Sequence, residues 1–222
     1  LASPPGGTNI ATLTTDSPDA DPDNNQASAT LTIVLPGAPE APGTGFAPGR
    51  LTVLPSLPSD WAYATYGELR LEIPALGVEM PILGIPRTAS GWDVTWLWDQ
   101  AGYLNGTAFP TWSGNSVITG HVSLPDGSEG PFAGLEQLRF GQAVIIHGWG
   151  LRHIYEIRGV DLVTAEDPTI FRHEERPWVT LLTCYGYDER RDTYRLRVAA
   201  HAVLVSIEVD GRYYDAVGDV DD

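Results

Sequence analysis

From Tyr66 onward the chain is a succession of short alternating segments divided by glycine, proline and Asp/Asn, and that rhythm constrains its fold more than any other feature. Residues 69–73, 78–82, 116–119, 143–147, 153–157, 160–164, 179–184 and 194–205 have the two-residue period of pleated strands. Helical pieces reduce to 134–138 and a turn around 173–178. Many short strands with frequent turn signals predict an all-β fold, a closed or nearly closed β-barrel. No internal repeat is evident.

Composition divides the chain. The first 60 residues hold 10 of the 18 prolines and no tryptophan, so the sequence separates into a leader (1–36), a Pro/Gly-rich linker (37–65), a strand-rich domain (66–208) and an acidic tail (209–222) expected to fray. In the leader, Ile10–Thr15 and Ala27–Val34 alternate around a turn-forming run from Asp16 to Asn25. This resembles the closing hairpin of β-sandwich repeats in bacterial surface proteins, here truncated. Asp19, Asp21 and Asp23 invite a calcium reading. Pro22 interrupts the set and Thr30 stands where an EF-hand loop needs glutamate, so a solvated acidic turn is expected.

The formal charge of −16 excludes the basic patch that nucleic-acid binding requires. All 13 basic residues are arginine, which excludes a catalytic lysine or a side-chain amine acceptor on this chain. No apolar run approaches the roughly 20 residues of a membrane helix. The chain opens on Leu1 and reads as a piece of a longer parent. The single cysteine, Cys184, ends the run Val179-Thr180-Leu181-Leu182-Thr183-Cys184, where Gly186 and a polar stretch break the strand pattern. A lone thiol is either a small buried hydrophobe or a nucleophile presented at a sheet rim. A nucleophile needs a basic or cationic neighbour. Of the five histidines, His121 is the one placed at a strand end, after Ser116-Val117-Ile118-Thr119-Gly120.

These residues carry a resemblance. Thr180-Leu181-Leu182-Thr183-Cys184 resembles the T-L-x-T-C signature of sortases, the cysteine transpeptidases of bacterial surfaces. Asn115 to His121 resembles their strand ending in the catalytic histidine, and Arg195-Leu196-Arg197-Val198 resembles their R-L-x-V. Ile73 to Val78, Pro81-Ile82, Phe132, Leu135, Leu138, Gly141 and Val144 also fit. Gln142 and Val122 depart, standing where aspartate and arginine are common.

The resemblance implies a sortase-like closed β-barrel and no cofactor or metal. It also implies a catalytic set of His121, Cys184 and Arg195. Cys184 attacks a threonine carbonyl in an L-P-x-T-G-like sorting signal to form a thioester. Arg195 supports the oxyanion or the peptide backbone, and His121 moves the proton of the leaving and incoming amines. Arg195 is preferred to Arg197 because it comes first after the turn and is therefore expected nearest the thiol. Thr183 is expected to contact substrate, with Ile170, Phe171 and Trp178 forming an apolar socket for the signal's first residue. The implied partners are a sorting-signal peptide and an amine acceptor. The implied location is the outer face of a bacterial cell, with the parent membrane- or wall-associated. The alternative is a non-catalytic sortase-like surface module or adhesin stalk.

In the linker, Ala41-Pro42-Gly43-Thr44-Gly45 resembles the L-P-x-T-G signal with alanine for leucine. Linkers of this composition also produce such strings by chance. The segment is a candidate pseudosubstrate or built-in substrate, either gating the enzyme or releasing the upstream residues onto an acceptor.

Overall fold

The computed structural model describes residues 7–12, 26–31, 39–58 and 62–212. The acidic turn from Asp16 to Asn25 and most of the acidic tail lie outside these residues. The leader's two described strands, β1 (Gly7–Thr12) and β2 (Gln26–Leu31), pair antiparallel from Gly7↔Leu31 to Thr12↔Gln26. They fall in a unit ending at Ala38; the second unit runs from Pro39 to Asp222.

That second unit is built on a barrel of eight strands. These are β3 (Ala64–Ile73), β4 (Val78–Ile85), β7 (Ala101–Leu104), β8 (Gly114–Thr119), β9 (Ala143–Gly148), β10 (Leu151–Val163), β11 (Pro177–Asp188) and β12 (Thr193–Val209). Around the barrel they follow the order β10-β12-β11-β8-β7-β4-β3-β9 and close on themselves. Closure leaves no open sheet edge. A two-stranded ribbon, β5 (Arg87–Thr88) with β6 (Gly91–Trp92), stands apart.

Each predicted strand is present, most of them longer than the alternation shows. Residues 153–157 and 160–164 prove to be one strand, β10, with a register shift between Ile157 and Gly159 where the sequence suggests a break. β7 leaves no signal in the sequence, because its four residues are all buried and carry no alternation. The predicted helix near 134–138 is a 3₁₀ turn at Leu135–Gln137. A second lies at Pro168–Phe171, ahead of the predicted turn at 173–178.

The strand alternation sorts two apolar clusters. Val179 and Leu181 of β11 join Val198, Ala200 and Ala202 of β12 inside the barrel, with Phe132, Tyr155 and Ile146. Leu182 and Ala199 point the other way, into a second cluster with Ile85, Trp92, Val94, Leu97, Val117 and Ile170. Ala41 from the linker belongs to that second cluster. The linker therefore packs as part of the barrel-bearing unit.

Candidate active site

The thiol lies on a strand with two different neighbours. β11 pairs parallel with β8, Leu182 standing opposite Thr119, so both strands run toward the same rim. Two residues beyond that pair come Cys184 and His121. Gly120 donates its N–H to the Leu182 carbonyl at 3.3 Å. Thr183 Oγ1 donates to the Gly120 carbonyl at 2.8 Å. Thr183 is fully buried and its hydroxyl is engaged there; it fastens the thiol strand to the histidine strand rather than facing a ligand. A Cβ at Gly120 would lie 2.6 Å from the Phe132 ring, so only glycine allows this approach.

On its other side β11 pairs antiparallel with β12, and the residue opposite Cys184 is Arg197. Both are buried, at 1% and 7% exposure, and both line one cleft with Tyr194. Arg195 is exposed and lines a different cleft, with Tyr185 and Leu196. The expectation that Arg195 sits nearest the thiol is therefore corrected to Arg197. That expectation treated Cys184 as the last residue of its strand. In the structure β11 continues to Asp188, and a tight turn to Thr193 sets the register. Gly186, with φ of +69°, lies in this extension, between the Tyr185–Leu196 and Tyr187–Tyr194 pairs.

The cleft is occupied by the chain's own linker. Thr44 is fully buried and donates its N–H to Cys184 Sγ at 3.0 Å. Its carbonyl accepts from the Val122 N–H at 2.8 Å. Upstream, Arg197 Nε donates to the Pro42 carbonyl at 3.1 Å and Nη2 to the Ala41 carbonyl at 3.4 Å. Ala41 donates its N–H to the Ala165 carbonyl at 2.8 Å. Downstream, the Phe46 N–H reaches the Ser123 carbonyl at 3.2 Å, and its carbonyl accepts from Tyr194 OH at 3.0 Å and from Ser123 Oγ. Gly45 is wedged so closely that a Cβ there would lie 2.7 Å from both Tyr194 Cε2 and Val122 Cγ1.

Ile170 and Phe171 belong to the apolar cluster that receives Ala41, Phe171 stacking on Trp92 at 5.3 Å. Trp178 lines a separate cleft with His201 and Arg172. The expected socket thus holds Ile170 and Phe171 but not Trp178. Val122, Ser123, Tyr194 and the Val94 carbonyl carried no warning in the sequence.

His121 is buried with the Phe46 ring 5.0 Å away. Its Nε2 donates to the Val94 carbonyl at 3.0 Å, while Nδ1 has no partner. Burial lowers its pKa from 6.5 to about 4, against a smaller opposite pull from the Val94 and Thr44 carbonyls. The imidazole is therefore neutral at pH 7 while the linker covers it. The unfolded chain takes up this proton first, so the contribution to stability is complete above pH 6.5 and is lost as pH falls toward 4. A titration of the His121 ring by NMR is expected to show its midpoint well below 6. Expulsion of the linker should return the midpoint toward 6.5; an unchanged midpoint would remove the linker as its cause.

Among the described residues Glu72, Glu79 and His147 place donor atoms within 4.8 Å of one another. Those atoms are already engaged. His147 bonds Glu72 and Asp210 at 2.8 and 2.6 Å, and Arg212 bridges Glu79 and Glu72. The cluster fastens the start of the tail to the barrel.

Residues 71–205 match the family model of the sortase domain. Sortase C-1 from Actinomyces oris is 29% identical, covering 62% of this chain and 73% of its own, with a TM-score of 0.51. A lid mutant of sortase A from Corynebacterium diphtheriae is 24% identical over 70% of this chain and 78% of its own, with a TM-score of 0.55. Sortase C-3 from Streptococcus pneumoniae is 20% identical over 78% and 80%, at a TM-score of 0.56. The curated proteins searched give no match.

Proposed function

As the chain belongs to the sortase family and is a cysteine transpeptidase, we propose that it cleaves an L-P-x-T-G-like signal between threonine and glycine through a thioester on Cys184. The acyl chain then passes to an amine acceptor at the bacterial surface. The observation that carries this reading is the cleft itself, where Cys184 and Arg197 face each other across one register and His121 follows two residues after the neighbouring parallel strand.

Cys184 supplies the nucleophile. Its sulfur attacks the threonine carbonyl, the C–N bond to glycine breaks, and His121 delivers a proton to the departing amine. In the second half the acceptor amine attacks the thioester, gives up its proton, and the thiol is restored. The linker's own contacts support a reading of how a signal's backbone lies in this cleft, and they divide the labour. Arg197 holds carbonyls two and three residues before the threonine's own, so it is a positioning clamp for the signal. The Val122 N–H meets the threonine carbonyl oxygen, where negative charge develops on attack. The apolar cluster beneath Ala41 receives the signal's first residue.

This chemistry belongs at the outer face of a bacterial cell, with the parent held at the membrane or wall. Among the described residues no helix is long and apolar enough to cross a membrane.

Incubation of the protein with an L-P-x-T-G peptide should give an intact-mass increase equal to the peptide's portion ending at threonine. Mapping should locate it on Cys184, and oligoglycine should discharge it. Absence of the adduct under conditions where an alkylating reagent labels Cys184 would favour the non-catalytic surface module instead.

A further inference from the structure

We infer that Ala41–Gly45 is a substrate in cis, and that the protein acylates itself with its own leader at the Thr44–Gly45 bond. The inference rests on the transpeptidase reading above. A plug needs only to cover the thiol. This segment does more, because its contacts place it in a peptide's reading frame.

Three observations fix that frame. The sulfur lies against the N–H of Thr44, the residue whose carbonyl it would attack. That carbonyl already points at the Val122 N–H. The next residue occupies a space that admits no side chain, bounded by Tyr194 and Val122, so the position after the scissile bond must be glycine. Arg197, Ala165 and the apolar cluster hold the acyl side; Ser123 and Tyr194 hold the leaving side.

The step balances with groups on the page and one amine. The Cys184 S–C(Thr44) bond forms, the C–N bond to Gly45 breaks, and the thiol proton passes through His121 to the Gly45 nitrogen. Residues 1–44 then hang on Cys184 as a thioester, and the catalytic unit begins with a free Gly45 amine. An external primary amine displaces the sulfur, and the leader departs with a new amide at Thr44.

The structure also explains why the bond persists at rest. After cleavage the Gly45 amine stays beside the thioester. Phe46 is held by Ser123 and Tyr194, Gly49 donates to the Gly127 carbonyl at 2.8 Å, and Thr52 to the Pro125 carbonyl at 2.7 Å. A tethered amine acts at an effective concentration on the order of millimolar, so it re-forms the peptide bond unless a more concentrated acceptor intercepts the acyl group. The segment is thus both covering and cargo.

The test uses the full chain with hydroxylamine as the amine, at a concentration above that range, followed by intact mass spectrometry. The expected result is a fragment beginning at Gly45 and a leader ending in a Thr44 hydroxamate. Their appearance should be at least about tenfold faster than in buffer alone. Cys184→Ala should give neither product. Gly45→Ala, which drives the segment out of the cleft, should stay uncut while turning over an added L-P-x-T-G peptide. A wild-type chain that stays whole, or is cut elsewhere, while Gly45→Ala turns over the peptide overturns the cis reaction and leaves the transpeptidase reading standing. If Gly45→Ala also fails on the peptide, with its thiol open to alkylation, both fall.

Discussion

Replacing Arg197 with alanine is expected to lower kcat/KM for a sorting peptide by about 10²-fold or more, whereas Arg195→Ala should change it by less than about twofold. Hydrogen bonds from a charged donor are each worth about 1.5–3 kcal/mol, and Arg197 spends two on the Ala41 and Pro42 carbonyls. At 1.4 kcal/mol per tenfold, losing both gives the larger figure. Arg197 is buried opposite the thiol, so its removal also leaves polar carbonyls unpaired. Arg197→Lys should rescue little, because an ammonium cannot span two carbonyls as a planar fork does. Peptide kinetics on the three variants decide the matter. Equal losses at 195 and 197 would mean that the cleft is remade when a signal enters.

Gly45→Ala is expected to speed alkylation of Cys184 by about 10–100-fold. In the wild type Cys184 is 1% exposed and its sulfur is capped by the Thr44 N–H. The new methyl would meet Tyr194 Cε2 and Val122 Cγ1 at 2.7 Å. Tyr194 cannot swing aside cheaply, since its hydroxyl is bonded to the Phe46 carbonyl and to Ser123. Overpacking of this kind costs about 1–3 kcal/mol, which the chain avoids by releasing the segment. Turnover of an added peptide should rise in step. Unchanged alkylation with an unchanged melting temperature would show that the cleft stretches around the methyl and the segment stays seated.

Much of this is legible in the sequence. The barrel followed from period-two alternation, because a strand with one face inward repeats every second residue whatever its partners. Val179 to Cys184 and Ser116 to Thr119 are legible as strands bound for the same rim. Pairing register was the weak point. Arg195 and Arg197 differ by one pleat, and the choice depends on how far β11 runs past Cys184 before turning. Tyr185, Tyr187 and Tyr194 alternate on either side of Asp188–Thr193, and that symmetry would have set 197 opposite 184. Val122, acting through its N–H, and Val94, through its carbonyl, were not legible, since every residue carries these groups and only the fold aims them. The linker is the converse case. Its five letters are a common accident in Pro/Gly-rich sequence, and only its burial against the thiol distinguishes it.

The strand order has a consequence for biosynthesis. Among the described barrel strands β12 comes last in the sequence, yet it lies between β10 and β11. Until it inserts, the cylinder is open and the Arg197 guanidinium that holds the linker carbonyls is missing. The parallel union of β8 with β11 also waits on a long crossover, a pairing that forms slowly. A chain made only as far as β11 is therefore chemically silent, and competence arrives in one stroke when β12 docks.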